Sequence, residues 1–157
     1  MTKIALFVDV QNIYYTCRDT YSRQFDYSAL WEMIKRQGDI VIANAYAIER
    51  NDSKQRGFQN ALRNIGFDIK LKPFIQRADG SAKGDWDVGI SIDVIEAAAD
   101  VDKVILLSGD GDFDLLLKHV SSRFNVKTHV FGVSDLTAKS LIDACDRFTM
   151  IDETLLK

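Results

Sequence analysis

The sequence predicts an α/β domain built on a parallel sheet, and three observations point there. Short β-branched runs recur along the chain, helix-periodic segments separate them, and 46% of the residues are apolar, enough for a packed core. A length of 157 residues is that of one domain, so a single unit over residues 1–157 is expected.

Ile4 to Val10 is a nearly continuous apolar run, suited to a strand buried on both faces, and Asp9 stands at its end. Similar runs follow at Ile40 to Ile48, Phe67 to Leu71, Lys103 to Leu107 and Val126 to Phe131; Phe148 to Ile151 reads as an edge strand or a packed tail. Pro73 closes the third run. Between them, Tyr27, Leu30, Trp31 and Ile34 repeat at helical spacing behind a cap, Asp26, and end at Gly38. Phe58, Leu62 and Ile65 form a second such pattern between Ser53 and Gly66. Leu115, Leu116, His119 and Val120 mark a further helix, and Leu136, Leu141, Ile142 and Cys145 another.

Trp86 to Val94 alternates apolar and polar residues, which alone suggests a half-exposed strand. A helix is the better reading. Ile90, Val94 and Ala97 follow helical spacing, Ile95 to Ala99 favours helix, and neighbouring parallel strands need a crossover element. On a helix Asp87 and Asp93 stand about 120° apart, which makes one ion hard for them to share.

No apolar run reaches the roughly 18 residues of a membrane span. The start, MTKIALFVDV, is a strand-like run without the layout of a signal peptide, so a soluble, cytoplasmic protein is expected. Cys17 and Cys145 are isolated thiols and read as packing residues, without disulfide or metal spacing. The net charge of −3 argues against indiscriminate coating of nucleic acid. It is unevenly spread, however. From Arg50 to Lys83 eight basic residues face three acidic ones, a local charge of +5 that leaves −8 elsewhere. Lys54, Arg56 and Lys83 in this stretch suit either an ordinary solvated surface or a flank that guides a polyanion.

In an open parallel sheet ligands sit beyond the carboxyl ends of the strands, where the strand order reverses. Asp9 lies at one such end, and Asp110 and Asp112, in Leu106-Leu107-Ser108-Gly109-Asp110-Gly111-Asp112-Phe113, lie at another. With the first and fourth strands adjacent, as in the order 3-2-1-4-5, the two acidic turns converge and Asp87 can cover the same crevice. Carboxylates so placed repel, by roughly 4 kcal/mol for two unit charges about 4 Å apart at an effective dielectric of about 20. A cation or protons must relieve that repulsion. Oxygen-only donors suit Mg²⁺ or Mn²⁺, and such an ion serves phosphodiester hydrolysis. Gly109 and Gly111 let the backbone turn tightly and approach a ligand.

Each residue also has a plainer role open to it. Asp112 can cap the helix that follows, Asn12 can cap a helix after the first strand or hold Asp9, and Asp87 can be a first-turn charge. Asp93 and Lys83 can simply face solvent, and His119 and His129, inside regular elements, are not expected to be ligands. What distinguishes the set is acids at two strand ends and one helix start together. A receiver-like phosphoacceptor is disfavoured, because Val10-Gln11 follows Asp9 and Gly132 follows Phe131 where a second acid and a lysine are wanted. Dinucleotide binding is disfavoured too, since Gly109-Asp110-Gly111 is only a fragment of the glycine fingerprint.

On these residues the chain resembles the NYN domain family, the LabA-like branch of the PIN-like nucleases. Phe7-Val8-Asp9-Val10-Gln11-Asn12 resembles its opening motif, and Lys83 through Asp87 to Asp93 its central one. Ser108 to Phe113 resembles its most distinctive motif, and Ser140-Leu141 with Ala144, Asp146 and Phe148 its closing segment. The resemblance implies a three-layer α/β/α sandwich and metal-dependent ribonuclease chemistry on RNA. It implies Asp9, Asp87, Asp110 and Asp112 as metal-binding acids supported by Asn12 and Ser108, with Asp93 part of the motif. A regulatory module that binds RNA or protein without cleaving is the alternative, and a homo-oligomer is compatible with either.

Overall fold

The computed structural model of the chain describes residues 1–49, 52–73, 75–76, 82–83 and 86–157, with backbone alone for Pro73, Ile75, Gln76, Ala82 and Lys83. In chain order the main elements are β1 (Lys3–Asp9), α1 (Val10–Tyr21), α2 (Tyr27–Lys35), β2 (Asp39–Glu49), α3 (Ser53–Ile65) and β3 (Asp68–Pro73). A small antiparallel pair, β4 (Ile75–Gln76) and β5 (Ala82–Lys83), precedes α4 (Asp87–Ala98). Then come β6 (Lys103–Leu107), α5 (Asp114–Phe124), β7 (Lys127–Gly132), α6 (Lys139–Ala144) and β8 (Arg147–Met150).

Six of the strands form one parallel sheet in the order β3-β2-β1-β6-β7-β8. Counting only those strands, this is the expected order 3-2-1-4-5 with β8 added as a sixth at the edge. β1 shows why the fold has three layers. Its side chains alternate: Ile4, Leu6 and Val8 join a core with residues of α1, α2 and α3, whereas Ala5 and Phe7 join a second core with residues of α4, α5 and α6. The chain lays its first three helices on one face, crosses over through α4, and lays the rest on the other. The reversal falls between β1 and β6.

Helix boundaries follow local chemistry. Asp26 caps α2 by accepting the Ala29 amide at 3.0 Å, as its sequence suggests. Asp52 rather than Ser53 caps α3, accepting from Gln55 at 2.7 Å, and Gly66 ends it at φ 138°, where a Cβ would also strike Trp31. Trp86 to Val94 lies at the start of α4, with Ile90, Val94, Ala97 and Ala98 buried.

Two stripes differ from expectation. In α5 the buried residues are Leu116, Leu117 and Val120, while Leu115 is 73% exposed and His119 is also exposed. Around Leu136 to Cys145 the helix is broken. A single 3₁₀ turn, Ser134–Leu136, is followed by extended Thr137 before α6 begins. The interruption has a cause: Thr137 Oγ1 donates to the Val133 carbonyl at 2.7 Å, and the Ala138 amide donates to Gly109 O at 3.0 Å. Backbone that could have continued a helix instead braces the loop after β6.

Both thiols are packed, as expected. Cys17 is buried in the α1 core, where burial pushes its pKa up to about 11, and Cys145 donates to the Ile142 carbonyl. Among the described residues no helix is long and apolar enough to cross a membrane.

Candidate metal centre at the strand reversal

Parallel pairing of Val8 with Leu107 puts the next residues, Asp9 and Ser108, side by side at the carboxyl edge of the sheet. The chain turns into α1 directly after Asp9, so Asp9 occupies the cap position and its carboxylate receives the Asn12 amide at 3.5 Å. Ser108 Oγ donates to the other Asp9 oxygen at 3.2 Å and accepts the Asp110 amide at 3.2 Å. One buried hydroxyl therefore links the ends of β1 and β6.

Asn12 is inside α1, not at its cap. Its Oδ1 accepts the Gly109 amide at 2.9 Å, which fastens the helix to the acidic loop. Asp112 is likewise not a cap. Asp110 holds that role for the short turn Gly111–Phe113, accepting the Asp112 amide at 2.9 Å, and α5 begins without a side-chain cap. The turn leaves Asp112 exposed and faced towards Asp110 and Asp87.

Asp87, Asp110 and Asp112 each offer a carboxylate oxygen, and these atoms lie within 4.8 Å of one another. Asp9 is outside that trio but shares a cleft with two of its members. The cleft, about 240 Å³, is lined by Asp9, Asp87 and Asp110 on the acidic side, and by Asn12, Gln11, Tyr15 and Thr16 from α1. Among the described residues no histidine or cysteine lines it, so the ligand atoms it offers are oxygens, which fits a hard divalent cation.

Asp93 is placed elsewhere. Its carboxylate receives the Tyr46 hydroxyl at 2.7 Å, and the buried Asn44 amide donates to that hydroxyl at 3.2 Å. Burial, then the bond to Asp93, raises the Tyr46 phenol far above its ordinary value, so it remains a donor. The ring of Tyr46 packs against Trp86 at 5.3 Å, and Trp86 Nε1 donates to the Ala47 carbonyl at 2.9 Å. Trp86 immediately precedes Asp87, so this cluster sets where α4 starts and where Asp87 is held.

The glycines of the acidic loop serve packing against the α6 segment. A Cβ on Gly109 would stand 2.5 Å from the Leu136 carbonyl oxygen, and one on Gly111 would stand 2.9 Å from Ala138 Cβ. Among the described residues, the close backbone approach expected of them is made to the α6 segment. Of the basic residues, Lys54 and Arg56 are exposed in the first turn of α3, which starts at the carboxyl edge because it follows β2. Arg50, Arg77 and the side chain of Lys83 lie outside the described residues.

Gln11, Tyr15 and Thr16 were not singled out by the sequence. With Asn12 treated as a cap, α1 has no assigned phase. Once the helix starts at Val10, residues three and four positions beyond Asn12 are Tyr15 and Thr16, and the i, i+4 rule names them.

The sequence model of the NYN domain matches residues 3–152. The chain belongs to the NYN domain family. Within it, the chain is 26% identical to the low amplitude and bright protein LabA of Synechococcus elongatus over 162 residues, covering 97% of this chain and 85% of LabA. A crystal structure of a protein of unknown function from Vibrio parahaemolyticus is 55% identical, covers 99% of this chain and 96% of its own, and superposes with a TM-score of 0.95. The NYN match runs from β1 to the turn after β8, so β1, α4 and the loop after β6, which carry the four acids, all lie inside it.

Proposed function

We propose that this NYN domain is a metal-dependent ribonuclease that hydrolyses RNA phosphodiester bonds in the cleft at the β1–β6 reversal. One observation carries the reading: three carboxylates from two separate elements meet within 4.8 Å beside Asp9, with no histidine or cysteine lining the cleft among the described residues. Unrelieved, such a cluster is repulsive, and a divalent cation held between the carboxylates would relieve it.

Asp87, Asp110 and Asp112 would hold Mg²⁺ or Mn²⁺, with Asp9 on the adjoining wall. Bound there, the ion would supply positive charge that activates water and stabilises phosphoryl oxygens. The chain itself does the rest. Ser108 and Asn12 keep Asp9 and the Asp110 loop in fixed relation, so the acids need not reorganise when substrate arrives. Asp9 stays oriented by the Asn12 amide and the Ser108 hydroxyl. Lys54 and Arg56 would provide the basic flank for the RNA backbone. Asp93 positions Asp87 through Tyr46 and Trp86.

The test is cleavage of single-stranded and structured RNA by the purified protein with Mn²⁺, Mg²⁺ or EDTA, beside Asp110→Asn. The reading expects cleavage with metal, abolished by EDTA and reduced at least about a hundredfold by the substitution. Cleavage that survives both excludes the mechanism, and RNA binding without turnover favours a regulatory module.

A further inference from the structure

We propose that α1 carries a nucleobase-stacking ledge beside the acidic cleft, formed by Tyr15 and the Arg18 guanidinium with Tyr14 at its rim, which receives an unpaired base next to the scissile phosphate. The proposal deepens the ribonuclease reading and rests on it, since it names how the same cleft would take hold of its substrate.

The ledge follows from the two faces of one helix. Val10, Ile13 and Cys17 are the buried residues of α1. The opposite side is turned outward, with Gln11, Tyr15 and Arg18 in one stripe by helical spacing. Gln11 and Tyr15 line the cleft together with Asp9, Asp87 and Asp110. Beyond them the Arg18 guanidinium lies 4.7 Å from the Tyr15 ring centre and 5.7 Å from that of Tyr14. Tyr14 and Tyr15 meet edge to face at 5.2 Å, and Tyr14 is 53% exposed. Two aromatic rings and a planar cation thus continue the cleft outward along the helix.

This chemistry fits a base better than a phosphate. Carboxylates repel the backbone of a nucleic acid, whereas a base can stack on tyrosine or on a guanidinium whatever the charge nearby. Arg18 is pre-ordered for it. Its one ion pair among the described residues, to Asp19 at 3.1 Å, joins two groups more than half exposed, and such a pair is weak and exchangeable. A paired base keeps its faces inside the duplex, so only an unpaired one can reach the ledge.

The experiment is fluorescence anisotropy of a short labelled single-stranded RNA, and of the same strand annealed to its complement, with Ca²⁺ in place of Mn²⁺. Wild type, Tyr15→Leu and Tyr15→Phe are compared. Binding of the single strand is expected to weaken about tenfold or more in Tyr15→Leu and to stay within about twofold of wild type in Tyr15→Phe. The ratio between wild type and Tyr15→Leu should hold from about 50 to 200 mM salt, because stacking is not ionic. Equal affinity of wild type and Tyr15→Leu, equal affinity for duplex, or no binding by wild type overturns the ledge. Cleavage with Mn²⁺, measured on the same proteins, separates the two claims. Acid-dependent cleavage with Tyr15→Leu binding like wild type sinks the ledge alone, and Tyr15-dependent binding without cleavage by wild type sinks the nuclease alone.

Discussion

Asn12 accepts the backbone amide of Gly109 at 2.9 Å, which ties the first turn of α1 to the loop bearing Asp110 and Asp112. Replacing Asn12 by Leu strands a half-buried N–H, at a cost of about 1–3 kcal/mol. Urea unfolding should show that loss, and Mn²⁺ affinity should fall with it. Asn12→Asp keeps the acceptor but adds a carboxylate to the acidic cleft, so it should recover the stability only when Mn²⁺ is present. An Asn12→Leu protein as stable as wild type would show that the loop is held by other contacts.

Gly109→Ala tests the brace from the other side. The added methyl would meet the Leu136 carbonyl oxygen at 2.5 Å, a backbone atom that cannot swing aside. The expected result is a loss of about 1–3 kcal/mol with weaker Mn²⁺ binding, as the loop is pushed off the α6 segment. Gly57→Ala, on α3 with open space around its Cβ, should be neutral or slightly stabilising. Equal effects at the two positions contradict the close-approach account.

Asp93 is expected to position α4 without touching the ion. Asp93→Asn preserves an acceptor for the Tyr46 hydroxyl and should leave Mn²⁺ affinity within about threefold of wild type. Asp93→Leu removes the acceptor and should cost about 1–3 kcal/mol of stability. Asp87→Asn, in contrast, should weaken Mn²⁺ about tenfold or more. Mn²⁺ binding followed by calorimetry decides it, and equal losses in Asp93→Asn and Asp87→Asn would place Asp93 at the ion.

His129 provides a pH dependence separate from the cleft. It is 2% exposed on β7, its Nε2 pairs with Thr149 Oγ1 at 2.7 Å, and its Nδ1 has no hydrogen-bond partner among the described residues. Burial first, then the positive charges of Arg147 and Lys103, lower its pKa from 6.5 to about 4. Unfolded chain takes up the proton near 6.5 and folded chain only near 4. The stability that neutral His129 gives is therefore complete above pH 6.5 and is lost as pH falls towards 4, by about 3 kcal/mol. His129→Gln should flatten the urea midpoint against pH in that window. An unchanged slope would assign the acid sensitivity to other groups.

Much of this was legible beforehand because strand pattern and topology reinforce each other. The runs containing Asp9 and preceding Ser108 had the continuous apolar character of central parallel strands, and central strands flanking a reversal bring their ends together. The helical reading of Trp86 to Val94 rested on Ile90, Val94 and Ala97, all of which are buried. What escaped was set by contacts distant in sequence. Whether Asn12 is a cap or an interior residue depends on Asp9 taking the cap position and on Gly109 offering its amide. The break at Thr137 depends on the Gly109 carbonyl drawing in the Ala138 amide. Tyr15 and Thr16 became identifiable only when the phase of α1 was fixed.

The most direct measurement is anomalous diffraction at the manganese edge from crystals soaked in Mn²⁺. A peak within about 2.0–2.3 Å of oxygens from Asp87 and Asp110, with Asp112 or Asp9 completing the shell, is the expected result. A fully soaked crystal with no peak among these four side chains, or with manganese bound only elsewhere, would contradict it.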